Sequence, residues 1–281
     1  MRSIRTLAVL AAVLGLAMVA GAAPFVASDN FNSYADGSYL HGQGGWFDSA
    51  GGNNYKFSAG NGAGGTQGVD KGTGSNQMIW ESHAWDWGTL AVGDKVIARM
   101  DFQANGSGNF DDDRVGWVLG NGSGGQITGS SNSSYNFAIQ LDNSAGGIET
   151  YFRNLTGGRV LQTTVLNWAA LGTPTGSNWY REELRVEKLT SGNGPGGAQV
   201  DVSFWALDGS GNPVGSPVTA SYGTVDTSAL RGFTGTVYPM FKNYSATNGY
   251  ADNAYFEITP EPATMGLLAL GALAMIRRRR K

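Results

Sequence analysis

The chain has 281 residues, 41% of them hydrophobic and 15% charged, with a formal net charge of −3. It contains no cysteine, which excludes a disulfide framework, a thiol nucleophile and a thiolate metal site. The two ends hold seven of the 19 basic residues, so residues 23–259 carry 12 basic against 21 acidic side chains. That acidic middle, at −9, repels phosphate backbones and excludes nucleic acid as a partner class.

At the start, Arg2 and Arg5 precede an apolar run from Leu7 to Ala20, and Ala20-Gly21-Ala22 supplies small residues for a cleavage site. Basic, apolar and small-residue regions in that order predict a secretory signal helix over residues 1–22, removed by signal peptidase after Ala22. Cutting one residue later would leave Pro24 at the new terminus. The alternative, an uncleaved membrane anchor, sits poorly with so short an apolar run.

Residues 23–259 read as one domain, long enough to bury a core unaided. Glycine occurs 44 times, about twice its usual frequency. The Gly-rich stretches alternate with aromatic and β-branched runs, which predicts many strands joined by tight turns.

Residues 77–81 predict an early strand. Trp80, Trp85 and Trp87 then gather with Glu81, His83 and Asp86. Flat indoles beside polar groups can stack on sugar rings while a carboxylate such as Asp86 accepts hydroxyl hydrogens. The alternative reading is that the same indoles fill the sandwich core. Next, Val96, Ala98, Met100 and Phe102 alternate with Ile97, Arg99, Asp101 and Gln103, a period-two strand. Asp111, Asp112 and Asp113 read as a loop before a strand at 114–119. Three crowded carboxylates repel, and a hard cation relieves that repulsion, so Ca2+ is the candidate cofactor; a solvated acidic turn is the other reading.

Further strands follow at Tyr135, Phe137, Ile139 and Leu141, at 148–153 and at 180–189. In the last, Glu183 and Glu187 share a face with Arg185 between them, a ladder of alternating charge. The closely spaced carboxylates of a jelly-roll glycosidase are not found on one strand. Ala198, Val200, Val202, Phe204 and Ala206 mark another strand. After it, Asp208, Ser210 and Asn212 place oxygen side chains at alternate positions, as a calcium loop begins, but Thr219 stands where such a loop needs a glutamate. Strands at 237–242 and at Ala254, Phe256 and Ile258 complete the set. His41 and His83 lack partners at zinc-site spacing, and no Gly-x-Ser-x-Gly elbow precedes a helix.

Many short strands, with no amphipathic helical pattern of ten or more residues, predict an all-β antiparallel sandwich. Two stretches sharpen this. Asp29-Asn30-Phe31-Asn32-Ser33-Tyr34-Ala35-Asp36-Gly37-Ser38, followed by Gln43-Gly44-Gly45-Trp46, and the terminal Ala251-Asp252-Asn253-Ala254-Tyr255-Phe256-Glu257-Ile258 resemble concanavalin-like jelly-roll domains of the laminin-G or lectin type. The resemblance implies a jelly roll over most of residues 25–258, with its first and last strands paired in one sheet.

The chain closes with Pro260-Glu261-Pro262, a mostly apolar stretch over 263–276, and Arg277, Arg278, Arg279, Arg280 and Lys281. As a helix the apolar stretch spans roughly 21 Å, short of the ~30 Å of a bilayer core, although arginine side chains can snorkel to the interface. The basic cluster stays cytoplasmic and places the domain outside. This tail, residues 260–281, resembles the PEP-CTERM sorting signal of bacterial exported proteins. The resemblance implies a transient membrane anchor, recognition and cleavage near Pro260-Glu261-Pro262 by an exosortase-type membrane protease, and delivery to the cell surface or extracellular matrix. Such proteins are often associated with exopolysaccharide. Three functions follow as expectations: a non-catalytic surface protein binding polysaccharide, a purely structural envelope component, and a secreted carbohydrate-active enzyme.

Overall fold

The computed structural model describes residues 25–49, 54–71, 78–103, 111–119, 135–142, 147–156, 159–167, 178–242 and 249–260. Its strands, in chain order, are β1 (Phe25–Asp29), β2 (Trp46–Asp48), β3 (Tyr55–Ser58), β4 (Gly68–Lys71), β5 (Met78–Trp80), β6 (Trp85–Asp86), β7 (Lys95–Gln103) and β8 (Asp111–Leu119). Then come β9 (Tyr135–Asp142), β10 (Gly147–Arg153), β11 (Arg159–Asn167), β12 (Trp179–Lys188), β13 (Ala198–Ala206), β14 (Val218–Val225), β15 (Thr236–Lys242) and β16 (Tyr250–Thr259). The first sheet runs β14-β13-β12-β7-β16-β4-β3, with β1 also on β16; the second runs β11-β10-β9-β8-β15-β5-β2, with β6 also on β15. The pairings between named strands are antiparallel.

This is the antiparallel sandwich that the patterning predicts, with the jelly-roll form that the resemblance implies. The first and last strands pair, Phe25 lying opposite Ile258 and Asp29 opposite Ala254. Among the described residues, helix is confined to 3-10 turns such as Glu81–His83 and Trp87–Thr89, and none is long and apolar enough to cross a membrane. The expected signal helix over residues 1–22 and the apolar tail lie outside the described residues.

Period-two alternation explains the core. Val96, Ala98, Met100 and Phe102 of β7 point inward and are fully buried, in register with Leu184 and Val186 of β12, which meet Val200 and Val202 of β13. Val115 and Trp117 of β8 and Val237 and Phe241 of β15 face them from the second sheet in one apolar cluster. Each large side chain so buried contributes about 1.5–3 kcal/mol, which the open turns between strands do not have to match.

Two element boundaries differ from expectation. β5 is shorter than 77–81 because Glu81 opens a 3-10 turn. Asp111, Asp112 and Asp113 are not in a loop: they begin β8, where Asp111 pairs with Asp142 and Asp113 with Leu141. Strands β2, β3, β4, β6, β11 and β14 had no counterpart in the sequence reading; most are short, or carry polar residues on both faces.

Candidate functional site

The outward side chains of the first sheet form a charged surface. On β12 and β7, Glu187 lies opposite Lys95, Glu183 opposite Arg99, and Arg181 opposite Asp101. The first pair, at 3.3 Å, is a solvated ion pair worth at most about 1 kcal/mol; the second, at 3.5 Å, joins the partly exposed Arg99 to a buried Glu183. Arg185 also reaches Glu183 at 3.3 Å, so the charge ladder expected on this strand is present. The third pair differs in kind. Arg181 donates from Nε and Nη2 to the two oxygens of Asp101, at 2.7 and 2.8 Å, and Asp101 is fully buried. That fork geometry fixes the guanidinium. The Asp101 hydrogen bond pushes the Arg181 pKa further up, so it stays charged at every working pH.

A bulge in β16 supplies the next part. Register with β7 shifts between Asp252 and Tyr255, and Asn253 adopts a left-handed backbone with φ 52. Asparagine tolerates that region better than most residues, and bulges re-aim side chains. Here Asn253 Nδ2 donates to Asp101 Oδ2 at 2.9 Å. Beyond the bulge, the Tyr255 ring carries the Arg99 guanidinium 4.1 Å above its centroid. The Tyr255 hydroxyl donates to Glu257; burial and that carboxylate push its pKa up to about 12.

The opposite wall comes from the end of β1. Asp29 accepts the Phe31 amide at 2.8 Å, the Tyr34 hydroxyl at 2.6 Å and the Trp46 indole at 2.8 Å. Phe31, with φ 58, turns the chain sharply here. Tyr34 stacks on Phe57 at 4.3 Å, and Trp46 on Trp80 at 4.6 Å. Gly44 lies against Tyr34: its φ is +57, and a Cβ would come within 1.9 Å of the Tyr34 hydroxyl. Between these walls opens a groove of about 680 Å³ that Arg99, Arg181, Asn253, Tyr255, Asn30 and Trp80 help to line. It offers guanidinium and amide groups beside aromatic rings, the combination that recognises polyhydroxylated rings. Asp29 and Asp101 are each saturated with donors, so they hold geometry.

Of the residues singled out from the sequence, Trp80 reaches this groove. It is buried, its indole donating to Gly44 O at 3.1 Å, and presents an edge to the groove. His83 packs edge-on against it at 4.3 Å, and burial lowers the His83 pKa. The expectation of an open stacking platform at Trp85 and Trp87 is corrected: both are buried, Trp85 against Trp117 at 5.1 Å and Trp87 against Phe233 at 4.8 Å. The core reading of these two indoles is the one realised. Asp86 accepts the Gly88 amide at 2.6 Å and caps a 3-10 turn.

Two of the candidate calcium residues, Asp113 and Asp208, stand in different places, one on β8 and the other in the turn after β13. Asp113 is buried in the second sheet, in the field of the buried Glu182, whose pKa burial raises well above the usual range. The side chains of Asp111 and Asp112 lie outside the described residues. Asp208 spends Oδ1 on the amides of Ser210 and Asn212, both at 2.9 Å, which lowers its pKa and closes its own turn. Among the described residues, no group of three or more histidine, aspartate or glutamate side chains could hold a metal ion.

Arg99, Arg181 and Tyr255 were missed as site residues. They come from strands far apart in sequence, and the local signals were an Arg-x-Asp alternation on β7 and an Asp-Asn pair inside a strand pattern, where both types are disfavoured.

The fold is thus an antiparallel jelly roll with a polar, aromatic-lined groove on its first sheet. Residues 259–281 match the PEP-CTERM protein-sorting motif, so the chain carries an export and exosortase-sorting signal at its C-terminus. None of the curated proteins matches the chain. Similar solved structures include a mutant of alginate lyase Aly36B with an alginate tetrasaccharide, at 14% identity over 84% of this chain and 97% of the other, TM-score 0.46. A lectin from Bauhinia forficata in complex with GalNAc is 9% identical over 85% of this chain and 100% of the other, TM-score 0.46. Arcelin-5, a lectin-like defense protein from Phaseolus vulgaris, is 10% identical over 85% and 99%, TM-score 0.47. Similarity at that level transfers neither activity nor ligand to this chain.

Proposed function

We propose that this is an exported surface or extracellular-matrix protein whose jelly-roll domain binds polysaccharide without catalysis. Signal peptidase removes residues 1–22. An exosortase-type protease cuts near Pro260-Glu261-Pro262, discarding the apolar stretch and Arg277–Arg280. The observation that carries the binding reading is the pre-set groove: Arg181 and Asn253 locked on Asp101, and Arg99 stacked on Tyr255. Groups fixed before a ligand arrives lose little entropy on binding. The non-catalytic reading is supported by the state of the groove carboxylates. Asp29 and Asp101 are held by several donors each, so their oxygens are engaged in shaping the groove.

The test is retention of the full-length protein on a panel of insoluble polysaccharides, with Arg99→Ala and Tyr255→Ala for comparison. The reading expects retention by the native protein and its loss in both variants. Absence of retention on every polysaccharide would favour a purely structural envelope role, and shortened glycan products would favour an enzyme.

A further inference from the structure

A second cavity of about 410 Å³ lies beside the first, lined by a glycine-rich loop at 60–65 together with Gln103, Asn178, Trp179 and Asp208. Strand register fixes how the two are related. Gln103 and Trp179 are cross-strand partners on β7 and β12; two residues along the same strands, Asp101 and Arg181 are partners as well. Side chains two apart point to the same face. The second cavity therefore continues the first along the strand direction, on the same outer face of the sheet. From Arg99 to Gln103 the run is roughly 14 Å, several times the width of one sugar ring.

The second cavity is also a built structure. Its loop is pinned from below by Asp252, which accepts the Ala63 amide at 3.0 Å and the Thr66 hydroxyl at 2.8 Å. It is pinned from the side where Gly64 meets the backbone of Ser210, a contact so close that a Cβ would lie 2.5 Å from the carbonyl oxygen. Trp179 packs there with Ala63 and Leu207, leaving amide side chains at Gln103 and Asn178 around an indole.

We infer that the two cavities are successive subsites for one unbranched, neutral polysaccharide strand lying along β7 and β12. This rests on the polysaccharide reading above and adds its direction, length and charge class. Neutrality follows from the lining. Arg181 is matched by Asp101, Arg99 by Glu183 and the Tyr255 ring, and Asp208 by amides of its own turn. A glycan with a carboxylate on each sugar meets no uncompensated cation among these residues.

The experiment is an array of linear neutral and acidic oligosaccharides of graded length, probed with the full-length protein in a non-sugar detergent. Affinity for neutral oligomers should rise about tenfold, ~1.4 kcal/mol, between those that fill one cavity and those that reach both, and then level off. The double variant Gln103→Ala with Asn178→Ala should erase that gain and leave the shortest binders unchanged. Both side chains are at least partly exposed, and an unchanged melting midpoint will show that the fold survives. Equal affinity at all lengths, a gain that persists in the double variant, or preference for acidic oligomers overturns this inference while the binding reading stands. No retained glycan of any kind overturns the binding reading, and this inference with it.

Discussion

Asp101 and Asp252 face each other across β7 and β16, both fully buried, and each holds one of the two cavities in shape. Asp101 fixes Arg181 and Asn253 on one side; Asp252 fixes the 60–66 loop on the other. Two carboxylates side by side away from water do not ionise together easily.

Burial, with the Asp101 charge adding to it, pushes Asp252 up to about 7 from an ordinary 3.8. A carboxyl that holds its proton more tightly when folded contributes stability that is complete below about pH 4 and is lost as pH rises toward 7. The loss is up to about 1.4 kcal/mol per pH unit. Urea unfolding from pH 5 to pH 7 should show this fall, and Asp252→Asn should flatten it. Equal slopes in the two proteins would mean that Asp252 is ionised throughout.

Arg181→Ala should destabilise the domain by about 3 kcal/mol, because it leaves the buried Asp101 charge without its fork of donors. Asp101→Asn combined with Arg181→Met should recover part of that loss, since the unpaired charge at position 101 is then gone. Chemical denaturation of the single and double variants measures both.

Gly44→Ala should disturb the groove without touching its lining charges. The new methyl group drives into the Tyr34 hydroxyl, and the backbone at φ +57 disfavours alanine. The Asp29–Tyr34–Trp46 network then shifts. We expect a cost of about 1–2 kcal/mol, read as a lower melting midpoint together with weaker polysaccharide retention.

The sandwich was legible because burial on one face leaves a period-two record, as in Val96 to Phe102 and Val200 to Phe204. The C-terminal sorting motif was legible because its parts are contiguous. The groove was not, since Asp29, Arg99, Arg181 and Asn253 meet only through long-range strand pairing. Nor does composition separate the roles of Trp80, Trp85 and Trp87. A core and a sugar platform both call for flat apolar rings, and topology alone puts Trp85 and Trp87 inside and the edge of Trp80 at the groove.

Processing leaves a mass signature. On the proposed reading, surface-extracted protein should begin at Ala23 and lack Arg277–Arg280, the latter within the sorting motif over residues 259–281. Intact-mass spectrometry reads both termini at once. A surface form still carrying Met1 and Lys281 would contradict processing at either end.

The most direct measurement is the affinity of the purified protein for the polysaccharide of its own cell surface, compared with Asn253→Ala. Removing that amide takes a hydrogen-bonding group out of the groove lining and leaves Asp101 Oδ2 to Arg181 alone, so binding should weaken about tenfold or more while the circular dichroism of the sandwich is kept. Undiminished binding in the variant, or none in the native protein, would contradict the groove as the working part of the molecule.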